Sequence, residues 1–353
     1  PVLIAQLAWF MHWKKFLWYS WFNYIILKTP IFTIGVFFYK NFLNLNTCDI
    51  FKLMKLKSTW DFILSQNHII PSPLANKFGV PVLRTIFANM LIKLRRYKNC
   101  RPQNDDENKL INEGIIIIPN FLPEQDFSQL KDEFDKISNS DNQRIVKKGS
   151  MQVSVHYVKD NDFDKFPAIK KFAMNKRLIR LIATAEGIKV ADQLKKLDLE
   201  TTKFGDPKND SDPNIPFHAD VHFHSHKVLF YMNDVKMDCG PFIYCKNSHK
   251  NKLGRLIFEF MRGQLSDSHK EGWRIQKHLD KFFFKTYFQK LLKEEIKVAC
   301  PANTLVIANV HGFHKRGESI PGVERSLIRI PFRYNPLGPT GHLSHDLYSG
   351  TFF

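Results

Sequence analysis

The feature that most constrains the fold is a series of short apolar runs in the last two-thirds of the chain. Gly114–Pro119 reads as a short buried strand around four consecutive isoleucines. Further strand-like runs follow at 190–204, 215–223, 228–235, 242–245, 304–310 and 326–334. Most are too short for a stable helix, and turn residues separate them. Many short strands with turns between them predict a β-barrel or jelly roll. Helical sequence is interleaved with them. Pro123 opens a segment reaching Ser138 with Phe127, Leu130, Phe134 and Ile137 on one face. Residues 165–187 also read as helix, and about 250–293 is an amphipathic helical insertion. The expected class is α+β, a jelly-roll or cupin-like barrel flanked by helices.

Length and charge divide the chain. At 353 residues, with 44% hydrophobic and 24% charged residues, it can bury a substantial core. General disorder and a disulfide-rich miniprotein are excluded. The net charge is +18. Residues 1–104 hold 14 Lys+Arg against 2 Asp+Glu, so they carry two-thirds of it. This region contains an aromatic tract at 8–39, with Trp9, Trp13, Trp18, Tyr19 and Trp21 punctuated by Lys14, Lys15, Lys28 and Lys40. Its longest uncharged stretch is too short to span a bilayer. Trp and Tyr beside Lys suit a helix at a membrane interface; the alternative is a pair of helices packed on the rest of the protein. Val82, Ile86, Phe87, Met90, Leu91 and Leu94 recur at helical spacing. Lys93, Arg95, Arg96 and Lys98 close that segment, either as a solvated helix end or as a phosphate contact.

The polar run 99–108 contains Pro102 and reads as a linker. The expected organisation is therefore a helical N-terminal region, 1–104, and a second domain, 105–353. Five cysteines, none in a CxxC pair, favour a reduced compartment. A cytoplasmic location is expected, peripheral to a membrane if residues 1–104 bind lipid. No nucleic-acid motif is present, so no nucleic-acid partner is expected.

The chemistry concentrates in histidines. Nine of 14 fall between 218 and 314, and the local string 217–227 is FHADVHFHSHK. On a strand His218 and Asp220 would point to one face, because side chains alternate. An imidazole nitrogen and a carboxylate oxygen so placed can hold one metal ion. A second histidine from a distant strand, His311 or His314, would complete a two-His, one-carboxylate triad with open coordination positions. Such a set is typical of non-haem Fe(II) oxygenases. His222, His224 and His226 are either a second metal site or polar loop residues.

The blocks around this string occur in a telling order. HAD is followed by KVLFYMNDV, GPFIYCKNSHK and GFHKRG, then by Arg325 eleven residues after His314. In this the chain resembles the phytanoyl-CoA dioxygenase family of Fe(II)/2-oxoglutarate oxygenases over roughly 110–335. The family pattern runs H-x-D, K-V-x-x-Y-L-x-D-V, G-P-F-x-x-x-P-G-S-H-K, G-x-H-R-G and a spaced Arg. The resemblance implies a double-stranded β-helix with His218, Asp220 and His314 as iron ligands. It makes Arg325 the anchor for the far carboxylate of 2-oxoglutarate, a contact that suits a planar guanidinium. It implies a hydroxylase that decarboxylates 2-oxoglutarate to succinate and CO2 while oxidising a substrate C–H bond. The retained Asp220 argues against a halogenase.

Three departures concern the co-substrate pocket. Arg316 stands where the family has a small residue, Lys246-Asn247 replaces Pro-Gly, and Leu229 replaces an aromatic. Lys227 and Tyr231 share Leu229's face by alternation, and either line the pocket, Lys227 then binding co-substrate, or pack the core. His249 is expected to be structural. The aromatic insertion at 250–293 either covers a small-molecule or lipid-like substrate or packs against the barrel.

Overall fold

The computed structural model describes residues 70, 73–140, 143–148, 151–188, 194–206, 214, 217–265, 289–332 and 336–337. The aromatic tract at 8–39 and the later part of the insertion lie outside them. Among the described residues two helices come first, α1 (Pro73–Lys77) and α2 (Val80–Asn99), then α3 (Asp105–Glu113), β1 (Ile115–Ile118) and α4 (Glu124–Ser138). The chain continues through β2 (Arg144–Lys148), β3 (Met151–Lys159), a 3₁₀ turn, α5 (Pro167–Ala173), α6 (Lys176–Glu186) and β4 (Lys196–Lys203). Last come β5 (His226–Tyr231), β6 (Phe242–Cys245), α7 (Leu253–Leu265), β7 (Glu295–Val298), β8 (Thr304–Asn309), β9 (His314–Arg316) and β10 (Glu324–Pro331).

The strands form two antiparallel sheets. The larger has seven strands in the order β1-β8-β5-β10-β4-β3-β2, and the smaller has three, β7-β6-β9. Flanked by helices, this is a jelly-roll architecture. A strand is expected at 215–223; its described part, 217–223, is instead a loop, tied by an isolated bridge at His218. The helix expected over 165–187 is broken into α5 and α6, because Asn175 caps α6 by accepting the Leu178 N–H at 3.0 Å.

Alternation sorts the seven-stranded sheet into two working faces. Val228 and Phe230 of β5, Leu305 and Ile307 of β8, and Ile328 and Ile330 of β10 are buried on the outer side against the helices. Phe230 is the centre of this layer, with ring centroids 4.9 Å from Phe172, 6.0 Å from Phe127 and 6.1 Å from Phe121. Burying an aromatic of this size stabilises the fold by about 1.5–3 kcal/mol. The inner side, facing the small sheet, carries Leu229, Tyr231, Val306 and Leu327 against Phe242, Tyr244 and Val298.

The apolar stripe of α2 faces away from the core. Its buried residues are Pro81, Arg84, Thr85, Ala88, Asn89 and Ile92, while Ile86, Phe87, Met90 and Leu94 are exposed. Polar anchoring explains the orientation. The Asn89 amide oxygen accepts the His224 N–H at 2.7 Å, and its nitrogen donates to Asn251 Oδ1 at 3.0 Å. Arg96 donates to the carbonyls of Thr184 and Ala185 at 3.0 and 2.7 Å, satisfying the C-terminal end of α6. Arg95 donates to the Pro336 carbonyl. These two arginines are thus engaged with backbone.

Candidate metal centre

The loop at 217–226 is laid along residues 309–314 by backbone hydrogen bonds. His218 and His314 exchange both N–H···O bonds, at 3.0 and 2.9 Å. Asp220 N–H donates to the Val310 carbonyl at 2.8 Å, and Val310 N–H to the Ser225 carbonyl at 2.7 Å. His218, Asp220 and His314 are thereby brought together, with one donor atom from each lying within 4.8 Å of the others. Asp220 Oδ1 is 3.6 Å from His218 Nε2 and 3.4 Å from His314 Nε2. This is the one such group of three among the described residues.

The chemistry of the donors fits a divalent cation. His314 Nδ1 is 3.0 Å from the Gly312 carbonyl, so it carries the proton and donates it there. That leaves the lone pair on Nε2, which is buried and makes no hydrogen bond. A second-shell carbonyl fixing the tautomer of a ligand histidine is a common arrangement. Ser248 supports the same turn, accepting the Phe313 N–H at 2.7 Å and donating to the Cys245 carbonyl at 2.6 Å. Asn247 adopts the left-handed conformation, φ 61°, and so fills the turn position where the resembled pattern has glycine. Gly312 leaves space for Tyr244, since an added Cβ would collide with the tyrosine hydroxyl.

Lys227 lies beside this centre. Its Nζ is 2.9 Å from Asp220 Oδ2, the oxygen opposite the one that faces the two histidines. The ion pair orients the carboxylate so that Oδ1 faces the imidazoles. The sequence leaves Lys227 either at the pocket or in the core and does not reveal this partner, because spacing alone does not show that the loop between them folds back.

Arg325 stands on the inner face of β10. Its position follows from register: Leu327 pairs with Tyr231, and Arg325 is two residues away on the same face. One guanidinium nitrogen donates to the Gly240 carbonyl. The group lies over the Phe204 ring at 5.4 Å, and Arg316 approaches the same ring at 5.1 Å. The Tyr231 hydroxyl is fully buried and makes no hydrogen bond. Burial raises its pKa above the ordinary value, with the positive charge of Arg325 opposing the shift.

Four further histidines, His224, His226, His249 and His311, are buried close to one another. His311 Nδ1 is 3.0 Å from the Val221 carbonyl and 3.0 Å from Arg255, and its Nε2 is 3.3 Å from Asn89. It is directed toward α2 and α7. His224 accepts from Asn309 at 3.1 Å, and His226 pairs with buried Glu186 at 2.8 Å. His249 Nε2 donates to the Ile111 carbonyl at 3.1 Å. Burial pushes His249 down to about 3 and holds His224 and His311 well below their ordinary value. Burial thus favours the neutral form of His224, His249 and His311, and His224 lies in the ligand loop. The described part of the insertion is likewise packed: Phe258 of α7 meets Phe313 edge-on at 4.7 Å.

No protein-family profile and no curated protein matches this sequence. Among solved structures, the chain is similar to the non-heme alpha-ketoglutarate-dependent carbocyclase SnoK from nogalamycin biosynthesis. That match has 11% identity and a TM-score of 0.41, covering 65% of this chain and 84% of that one. It is also similar to HygX from Streptomyces hygroscopicus with nickel, 2-oxoglutarate and hygromycin B bound. Here identity is 14% and the TM-score 0.36, over 65% of this chain and 86% of that one. A Pseudomonas putida prolyl-4-hydroxylase matches at 13% identity and TM-score 0.38, over 65% and 96%.

Proposed function

We propose that this chain is a non-haem Fe(II), 2-oxoglutarate-dependent oxygenase that hydroxylates a C–H bond of a small organic substrate. The observation that carries the reading is the convergence of His218, Asp220 and His314, with the Nε2 lone pair of His314 left without a hydrogen bond in a buried site. Two imidazoles and one carboxylate suit Fe(II) and leave positions for a bidentate oxo-acid and O2. When bound, the iron would couple oxidative decarboxylation of 2-oxoglutarate to oxidation of the substrate.

The chain's own residues have definable tasks. Lys227 holds the outer oxygen of Asp220, and the Gly312 carbonyl holds the proton of His314. Arg325 offers a planar cation to a carboxylate, next to the Tyr231 hydroxyl as a further donor. Leu229, Phe242 and Val306 form an apolar inner wall that limits water. On the same sheet face, Arg329 pairs with Asp198 and Glu200, each at 3.1 Å. That polar wall favours a polar small molecule over a lipid-like one. The packed state of Phe258, Phe260 and Met261 points the same way, since these insertion aromatics and Met261 are buried.

The test is anaerobic calorimetry with Mn(II) and 2-oxoglutarate, followed by aerobic succinate assay with Fe(II). Metal-dependent 2-oxoglutarate binding and succinate release that disappear in His218→Ala support the reading. Metal binding without any 2-oxoglutarate binding would identify a cupin-type barrel of different chemistry and overturn it.

A further inference from the structure

We propose that the outward face of α2 seats on an anionic lipid surface. The residues Leu83, Ile86, Phe87, Met90, Leu94 and Tyr97 are exposed, Leu83 by 64%, Leu94 by 57% and Tyr97 by 67%. At 3.6 residues per turn they fall within an arc of roughly 100°. The opposite arc holds Pro81, Arg84, Thr85, Ala88, Asn89 and Ile92, which attach the helix to the barrel. So the helix is held by a small and polar face and presents its apolar face outward.

The charges around this stripe select the partner. Lys93 and Lys98 are exposed and flank the stripe on its two sides. Arg101 lies over the Tyr97 ring at 3.9 Å, at the same end. The helix contains no aspartate or glutamate. An apolar strip edged by lysines, with a tyrosine and a guanidinium at one end, is the pattern of a helix lying in a membrane interface. Lysine stems can lie along the acyl boundary while their ammonium groups meet lipid phosphates.

Two other occupants fit less well. Pairing two copies through this stripe would bring Lys93, Lys98 and Arg101 of each copy together with no acid on the helix to neutralise them. The stripe is also small: a 20-residue helix is about 30 Å long, so a face about 10 Å wide offers about 300 Å². A stable protein interface needs about 800 Å² from each partner. Shallow insertion into a bilayer needs no such area. Among the described residues no helix is long and apolar enough to cross a membrane, so contact here would be peripheral. The sequence before α2 has the same character, with its aromatic tract interrupted by lysines.

The experiment uses the full chain and co-sedimentation with vesicles of phosphatidylcholine alone or with about one-third phosphatidylserine. Binding should require the anionic lipid. Phe87→Gln/Met90→Gln/Leu94→Gln should lower the partition constant at least about tenfold, with unchanged melting temperature. Lys93→Gln/Lys98→Gln should weaken binding to the anionic vesicles and reduce its salt dependence. Three results would each overturn the proposal. One is vesicle binding, or its absence, that the triple substitution leaves unaltered. The second is a clear fall in melting temperature, which would mean that the stripe is covered within the molecule. The third is a wild-type dimer in sedimentation equilibrium that the triple substitution dissociates.

Discussion

His218 and His314 face each other across an antiparallel bridge, exchange both backbone hydrogen bonds, and hold their ring centroids 4.5 Å apart. Residues 96 positions apart in sequence are thus fixed by backbone, so the spacing of the two imidazoles does not depend on side-chain packing alone. Asp220 is set by the same ladder through Val310. A site built in this way should survive loss of one imidazole as a fold while losing its metal. His218→Ala and His314→Ala are each expected to cost metal affinity by more than the roughly 10–100-fold typical of second-shell changes. Anaerobic Mn(II) titration checks this, with circular dichroism to show that the fold persists.

Arg325 and Lys227 should fail in different ways. Arg325 is available to a carboxylate on the inner face, whereas Lys227 is paired with Asp220 at 2.9 Å. Arg325→Ala is expected to abolish 2-oxoglutarate binding and to leave Mn(II) affinity within a few-fold of wild type. Lys227→Met is expected to weaken Mn(II) binding roughly 10-fold, because the outer carboxylate oxygen loses its partner. Calorimetry with metal alone and then with 2-oxoglutarate separates the two. If Lys227→Met changes only 2-oxoglutarate affinity, its role is at the co-substrate and not at Asp220.

Much of this architecture was legible in sequence, and the failures have physical reasons. β1, α4, β5, β6, β8 and β10 follow apolar runs whose periodicity agrees with their burial. β3 was missed although Met151, Val153 and Val155 alternate with less buried residues, because it follows a lysine- and asparagine-rich stretch that resembles a loop. The ligand loop at 217–226 mimics a strand in composition. Its real geometry depends on hydrogen bonds to residues about ninety positions away. The spacing of the α2 stripe marks a helix, but periodicity does not say which face the protein uses. That choice was made by Asn89, Arg96 and their distant partners, and no local pattern encodes them. The candidate ligands stood out because their residue types and order were unusual. The Lys227–Asp220 pair did not, since lysine and aspartate seven residues apart carry no signal.

Gly312 should be intolerant of any side chain. Its φ is unexceptional, so the constraint is space: a Cβ would run into the Tyr244 hydroxyl. Gly312→Ala should therefore destabilise the fold by about 1–3 kcal/mol, as overpacking of a filled site does. It should also weaken metal binding, because the Gly312 carbonyl accepts the His314 proton. Tyr244→Phe in the same chain removes the colliding oxygen and should recover part of both losses. Thermal melting and Mn(II) titration of the single and double variants test this coupling, and full additivity would contradict it.

The buried histidines predict a pH dependence of stability with a definite sign. Burial lowers His249 to about 3 in the folded protein, against about 6.5 when unfolded. Between these values the unfolded chain binds a proton that the folded chain does not. Stability from this group is therefore fully present above about pH 6.5 and declines as pH falls toward 3, by up to about 1.4 kcal/mol per pH unit. His224 and His311 shift in the same direction for the same first cause, burial, so they add to the slope. Urea denaturation at pH 7 and pH 5 should show the loss. His249→Gln keeps a donor for the Ile111 carbonyl but cannot titrate, so it should flatten the dependence while costing some stability at pH 7. An unchanged slope in that variant would mean that His249 is protonated in the folded protein, contrary to its burial.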